Sequence, residues 1–249
     1  MLGLGATNLK GGAVDVYSPT KSADFGDDTE NDLMYWAISS GPEKDDPWHK
    51  DTWSMHTWIK PTNEGTISPI YSHTDSATDG IQIYLNSNET LLIKINNVIK
   101  TASSACTAGA WNHIFISLNN ATNTLKAYLN GSEVISDTSF TQASDVTANQ
   151  RYIGYNGNFA GNSAAYSGKI FEWAVWKSDK TSDVASFYNG GNHQDMRKYS
   201  PYFWYSFGNH SLDTSSTVHN FMNPSGNAAK SHGSTLAISN SFSEDVPTS

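Results

Sequence analysis

The residues able to do chemistry are few and widely spaced. Asp27, Asp28 and Glu172 are the carboxylates considered for a hard cation, which takes about six to eight oxygens from carboxylates, amides and carbonyls. No linear EF-hand loop accompanies them. Sugar recognition is a second candidate chemistry, because aromatic rings stack on the C–H faces of a sugar while polar side chains bind its hydroxyls. Trp48, Tyr71, Tyr155, Phe159, Tyr166 and Trp176 are the rings considered. Tyr155, Phe159 and Tyr166 sit at or within the Gly/Asn-rich stretch 156–167, expected to be a surface loop. The same rings suit loop anchoring or a protein contact equally well. Nucleophilic and phosphate chemistry find no support, because Gly-x-Ser-x-Gly, His-Glu-x-x-His and a phosphate loop are all missing. The single cysteine, Cys106, has no His beside it and no partner for a disulfide, so a buried structural thiol is expected.

The elements that must position these residues are strands. Period-2 alternation recurs in Ile81–Leu85, in Ile114, Ile116 and Leu118, and in Leu125, Ala127 and Leu129. In the second run His113, Phe115 and Ser117 fall on the opposite face. Asn130-Gly131 between Leu129 and Val134-Ile135 is a hairpin signal. Asn86-Ser87-Asn88 and Asn156-Gly157 mark two further expected reversals. One short helix of about two turns is expected, capped by Thr181 or Ser182 and ended by Gly190-Gly191. Its apolar face would be Val184, Ala185, Phe187 and Tyr188. Short strands separated by turns at this spacing indicate an all-β sandwich or barrel. Residues 1–21 read as a Gly-rich arm, 22–191 as the strand-dense core, and 192–249 as an aromatic strand (Tyr202–Phe207) followed by a tail, so that 22–249 form one domain. Trp58 and Trp111 are expected to pack inside, and His113 to be a hydrogen-bonded structural histidine.

The net charge of −9 opposes nucleic acid, whose binding rests on Lys and Arg neutralising phosphates, and opposes an anionic membrane. No apolar run approaches the roughly 20 residues of a membrane helix, so no membrane insertion is expected. Met1–Ala6 lacks the basic and long apolar regions of a secretory leader, so none of the four Asn-x-Ser/Thr sequons is read as glycosylated. The charge run 43–51 reads as a solvated loop.

Seven short motifs resemble, in order, the laminin-G-like family of concanavalin A-like domains, particularly its pentraxin-related branch. They are Asp24-Phe25-Gly26-Asp27-Asp28, Trp53–Pro61, Ala108–Ile114, Leu125–Gly131, Arg151–Gly154, Gly168–Trp176 and Phe187–Gly191. The resemblance implies a two-sheet antiparallel jelly-roll sandwich with one short helix and N- and C-terminal extensions. It also implies calcium at Asp27, Asp28 and Glu172, although Phe171 stands where many relatives carry the first acid of a pair. Glucanases of this fold carry a Glu-x-Asp-x-x-Glu strand, which is missing here, so no enzyme is expected. The Gly-rich start and the Ser-x-Asp-Val-Pro type of end are similar to laminin-G-like proteins of tailed phages. That similarity implies a virion protein assembled in the host cytoplasm: a capsid decoration, fibre or tail component. It would dock on other virion proteins through Leu2, Gly3, Leu4, Gly5, Gly11 and Gly12, where glycines let the arm follow a neighbour's backbone. It would form a homo-oligomer and bind a glycan at Tyr155, Phe159, Tyr166 and Trp176. The alternatives are a free, calcium-dependent lectin and, third, a glucan hydrolase.

Overall fold

A computed structural model describes residues 17–26, 34–37, 51–62, 65–74, 78–141, 150–159, 162–214, 217–222, 229–231 and 242–248. In chain order the strands are β1 (Ser22–Asp24), β2 (Met34–Ala37), β3 (Trp53–Pro61), β4 (Ser68–His73), β5 (Ile81–Leu85) and β6 (Thr90–Ile95). Next come β7 (Val98–Ala105), β8 (Asn112–Asn119), β9 (Thr124–Leu129), β10 (Ser132–Asp137), β11 (Gln150–Ile153) and β12 (Tyr155–Phe159). The last are β13 (Asn162–Ala165), β14 (Gly168–Trp176), β15 (Phe203–Tyr205), β16 (Thr217–Val218), β17 (Ala229–Ser231) and β18 (Phe242–Ser243). The first sheet runs β10-β9-β8-β3-β14-β1-β18, with β15 also paired to β14. The second runs β16-β17-β2-β11-β4-β5-β6-β7, and β12-β13 form a separate hairpin. All named pairings are antiparallel, as the jelly-roll expectation requires.

The alternation read from the sequence becomes two faces. Ile114, Ile116, Leu118, Leu125, Ala127 and Leu129 of the first sheet meet Ile81, Ile83, Leu85, Ile93 and Ile153 of the second in the principal core. Tyr71 stacks on Trp173 across it, with centroids 5.1 Å apart. A second cluster lies on the other face of the first sheet, where Phe115, Ala174, Trp176 and Trp204 pack with Val184, Phe187 and Met196. Such rings carry large buried apolar area and fix the layers in register.

Strand β14 carries a bulge between Phe171 and Trp173, opposite Trp58 and Thr57 of β3. Strict alternation from Ile170 would turn Glu172 into the core and Trp173 out of it. The extra residue rephases the strand, so Ile170, Trp173 and Val175 all reach the principal core. Glu172 takes φ of +60°, a left-handed conformation unusual outside glycine. Thr57 Oγ1 donates to its carbonyl at 2.7 Å and holds the bulge.

The expected helix is shorter than two turns and differently capped. It is α1 (Val184–Tyr188), preceded by a 3-10 turn at Thr181–Asp183 and closed by Asn189 in the left-handed region. Neither Thr181 nor Ser182 caps it; Asp183 occupies the cap position without a side-chain bond. Val184 and Phe187 are buried, whereas Ala185 is exposed. The expected loop 156–167 is largely the β12-β13 hairpin, and Asn156-Gly157 lies inside β12 rather than at a reversal. The Asn86–Glu89 and Asn130-Gly131 turns fall where the spacing puts them. Among the described residues no helix is long and apolar enough to cross a membrane.

Candidate functional site

Three first-sheet strands place polar side chains on the face away from the principal core. His56 comes from β3, His113 from β8 and Glu172 from the bulge of β14. All three are fully buried. His113 Nε2 lies 2.8 Å from His56 Nδ1, and His56 Nε2 lies 3.2 Å from Glu172 Oε2. Glu172 Oε1 accepts a 2.7 Å bond from the Tyr17 hydroxyl, which also meets Ser206 Oγ at short range.

Burial disfavours every charged form in this chain. It pushes the Glu172 carboxyl up to about 8 and His56 down to about 3, and holds His113 well below the usual imidazole range with help from His56. Glu172 is therefore protonated and both histidines neutral at pH 7, which gives the bonds one sense. Ser206 donates to Tyr17, Tyr17 to Glu172 Oε1, Glu172 Oε2–H to His56 Nε2, and His56 Nδ1–H to His113 Nε2. The run ends at His113 Nδ1, which is buried without a hydrogen-bond partner.

Tyr17 is where this buried chain comes closest to the surface. Its ring meets Trp204 edge-on at 4.8 Å and Phe221 at 6.0 Å. Above it opens a cleft of about 340 Å³ lined by Ser18, Thr20, Lys21, Arg197, Asn209 and Phe221 among others. That lies at the lower end of the roughly 300–1,000 Å³ of ligand clefts. Asn209 builds one wall. Its Oδ1 accepts from Thr20 N and Lys21 N, both at 2.9 Å, and its Nδ2 donates to Lys21 O at 2.6 Å and Ser206 O at 3.0 Å. Arg197 is held by a bidentate bond to Asp195, whose carboxyl these contacts lower despite its burial. With the Asn209 amide fully engaged in that wall, the cleft offers hydroxyls, an ammonium and a guanidinium beside the half-buried ring of Phe221.

Several sequence expectations change place. Tyr166, Trp176 and Tyr71 are interior, with 0%, 2% and 1% exposure, and have no free ring face for a sugar. Trp176 lies on the outer face of the first sheet, but Phe187 stacks on it at 4.9 Å. Tyr155 is half-buried, packs on Tyr152 at 5.3 Å, and its carbonyl accepts from Ser72 Oγ. Phe159 lies in β12, its side chain outside the described residues. Asp27, Asp28, Trp48, Leu2, Gly3, Leu4, Gly5, Gly11 and Gly12 also lie outside them. Glu172 does not fit a calcium ligand: it is sealed, protonated at neutral pH and engaged at both oxygens, whereas calcium needs anionic oxygens open to it. Trp58 is buried as expected, but Trp111 is half-buried and donates Nε1–H to Asp245 Oδ1 at 2.9 Å.

Sequence reasoning missed Tyr17, His56, Asn209 and Phe221. Tyr17–Lys21 belong by composition to the expected arm, yet they line the cleft. The available signal was a polar residue on each strand at an outward position of an otherwise apolar run, as in Ser54-Met55-His56 and Asn112-His113-Ile114.

A sandwich of this topology defines a class, and comparison with known proteins agrees. The family model for the concanavalin A-like lectin/glucanases superfamily, of laminin G type, matches residues 37–184. The chain belongs to that superfamily. It is similar in fold to the crystal structure of a candidate carbohydrate binding protein from Bacteroides ovatus, at 12% identity and a TM-score of 0.67 over 92% of this chain. The chain spans 61% of that protein's length. It is also similar to the CBM40 of the IT-sialidase of Ruminococcus gnavus, solved with α2,3-sialyllactose, at 14% identity and a TM-score of 0.52, over 66% of this chain and 95% of that one. Among curated proteins none matches this sequence.

Proposed function

We propose that this chain is a non-catalytic glycan-binding module whose ligand lies in the cleft above Tyr17. The observation that carries the reading is the lining itself: Ser18, Thr20, Lys21 and Arg197 offer hydrogen-bonding groups beside the Phe221 ring, on a wall that Asn209 holds in shape. That is the mixture a sugar's hydroxyls and C–H face require. The superfamily and the carbohydrate-binding proteins of similar fold support it. The sealing of Glu172 beneath Tyr17 supports a binding rather than hydrolytic role, since a retaining glycosidase presents two carboxyls about 5–5.5 Å apart to its substrate.

A glycan array probed with the full chain, followed by calorimetry on a positive sugar, tests this. Phe221→Ala and Asn209→Ala should each weaken binding by about tenfold or more, a loss of about 1.4 kcal/mol, while Tyr155→Ala leaves it unchanged. Loss in Tyr155→Ala alone would move the ligand to the β12-β13 hairpin and overturn the cleft assignment. Turnover of a β-glucan would overturn the non-catalytic reading.

The finer setting is a tailed-phage particle, with residues 1–12 docking the module on other virion proteins and copies assembled as a homo-oligomer. Sequence similarity of the two ends supports it. Deleting residues 1–12 should abolish particle attachment and leave the circular dichroism spectrum intact; normal incorporation would refute the docking role.

A further inference from the structure

Outside the superfamily match, the segment after β15 brings His210, Asp213 and His219 together. One ligand-type atom from each lies within 4.8 Å of the others. We propose that these three side chains form a binding site for a zinc-class divalent cation. Asp213 is the fixed member. Its Oδ2 accepts from Gly208 N at 2.9 Å and His210 N at 3.2 Å, its Oδ1 accepts from His219 N at 2.7 Å, and its side chain is 3% exposed. Three backbone donors hold the carboxylate in place, and Oδ1, with one bond, keeps a lone pair.

His219 supplies the second observation. Its Nδ1 is buried without a hydrogen-bond partner and stands 3.6 Å from Asp213 Oδ1. That separation is too long for a hydrogen bond. It matches the distance between two ligands that meet a metal at about 2.1 Å with an angle of about 120°. A cation between them would satisfy the orphaned nitrogen and the remaining lone pair together. The His210 ring lies nearly parallel to that of His219, with centroids 5.7 Å apart. His210 Nδ1 accepts a 3.1 Å bond from Leu212 N, which orients the ring. Closing the 4.8 Å span onto a metal needs a shift of about 1 Å in an imidazole ring, within reach of its χ angles.

Two imidazoles and one carboxylate select a borderline ion such as Zn²⁺ or Co²⁺ over Ca²⁺, which requires more oxygens. Three protein ligands leave at least one position open for water or a ligand oxygen. The site adjoins the cleft: His210 meets Phe221 edge-on at 4.6 Å, and Gly208 belongs to both. Metal would therefore stiffen the wall that carries Phe221.

The test is calorimetric titration of the full, chelator-treated chain with Zn²⁺, with the absorption spectrum of Co²⁺ as a second readout. One equivalent should bind, unaffected by excess Ca²⁺. His210→Ala and His219→Ala should each weaken it by about 10–100-fold or more, since even groups that only orient ligands cost that much. The double variant should lose both the bound equivalent and the visible Co²⁺ bands, with its circular dichroism spectrum unchanged. No uptake at micromolar Zn²⁺, equal affinity in the double variant, or displacement by Ca²⁺ would overturn the site. Because the titration needs no sugar, its outcome is separate from that of the glycan assays.

Discussion

Replacing Glu172 by Gln should change how stability depends on pH in a way that only a buried, protonated carboxyl produces. In the folded protein Glu172 is pushed up to about 8, against 4.5 in an open chain. Below pH 4.5 both states hold the proton and its contribution is fully present. As pH rises the unfolded chain ionises first, so stability is lost progressively until about pH 8 and then levels off. His56 acts with the opposite sign. Its folded value is about 3 against 6.5, so its contribution is complete above pH 6.5 and is lost as pH falls towards 3. His113, shifted in the same direction, adds to the acid-side loss, and these three groups together place the optimum near pH 6.5. Between pH 6.5 and 8 Glu172 alone costs about 2 kcal/mol, at about 1.4 kcal/mol per pH unit. Glu172→Gln keeps the shape: its carbonyl accepts from Tyr17 and its amide donates to His56. Urea unfolding of both proteins at half-unit pH steps should show the variant gaining about 2 kcal/mol on wild type across that interval. A difference that stays constant from pH 6.5 to 8 would mean that Glu172 is ionised in the fold, and would refute the single-sense hydrogen-bond chain.

Four further outcomes are expected. Tyr17→Phe leaves Glu172 Oε1 and Ser206 Oγ without this partner and should cost about 1–3 kcal/mol in urea unfolding; a change under 0.5 kcal/mol, about the scatter of a neutral surface substitution, would contradict the buried chain. Gly168 sits at φ +125°, and a Cβ there would lie 2.3 Å from the Lys60 carbonyl, so Gly168→Ala should cost more than about 3 kcal/mol, whereas Gly190→Ala, in open space, should cost about 1 kcal/mol. Asp245 is bonded to Lys60, Lys169 and Trp111, which hold its carboxyl at about 2 despite partial burial; its contribution is present above pH 3.8 and lost as pH falls to 2, and because the pairs are partly exposed Asp245→Ala should cost only about 1 kcal/mol, less in high salt. Cys106 is buried and its thiol is pushed up to about 12, so a disulfide reagent at pH 8 should leave it unmodified until denaturant is added.

The layers were legible because alternation is a local property. Ile81–Leu85, Ile114–Leu118 and Leu125–Leu129 each carry their two faces within a few residues, and Asn130-Gly131 fixes the register of its hairpin without reference to the rest of the chain. Trp111 was misjudged because its partner Asp245 is 134 residues away. The β12-β13 hairpin reads as a loop because its Gly/Asn composition matches one, while both its strands lie against β4, a contact distant in sequence. The cleft and the hydrogen-bond chain were illegible for a deeper reason. His56, His113, Glu172, Tyr17 and Ser206 come from five segments and meet through the β3-β8, β3-β14 and β14-β15 registers, one bulge and the stretch before β1. No spacing within a single segment encodes that meeting. The bulge itself leaves a trace, in that Ile170, Trp173 and Val175 do not alternate, and a residue out of phase in a core strand is worth inspecting first.

The closing strand has a mechanical consequence. Ser22 of β1 lies opposite Ser243 of β18 in antiparallel pairing, and Ser22 Oγ reaches the carbonyl of Asp245. Tension applied through the two ends of the chain would therefore load these bonds one after another, like a zip opened from its tab, instead of shearing the whole ladder at once. A tether pulled from both sides would peel β18 away at low force, starting with the grip of Lys60 and Lys169 on Asp245, while the layers behind it stay closed.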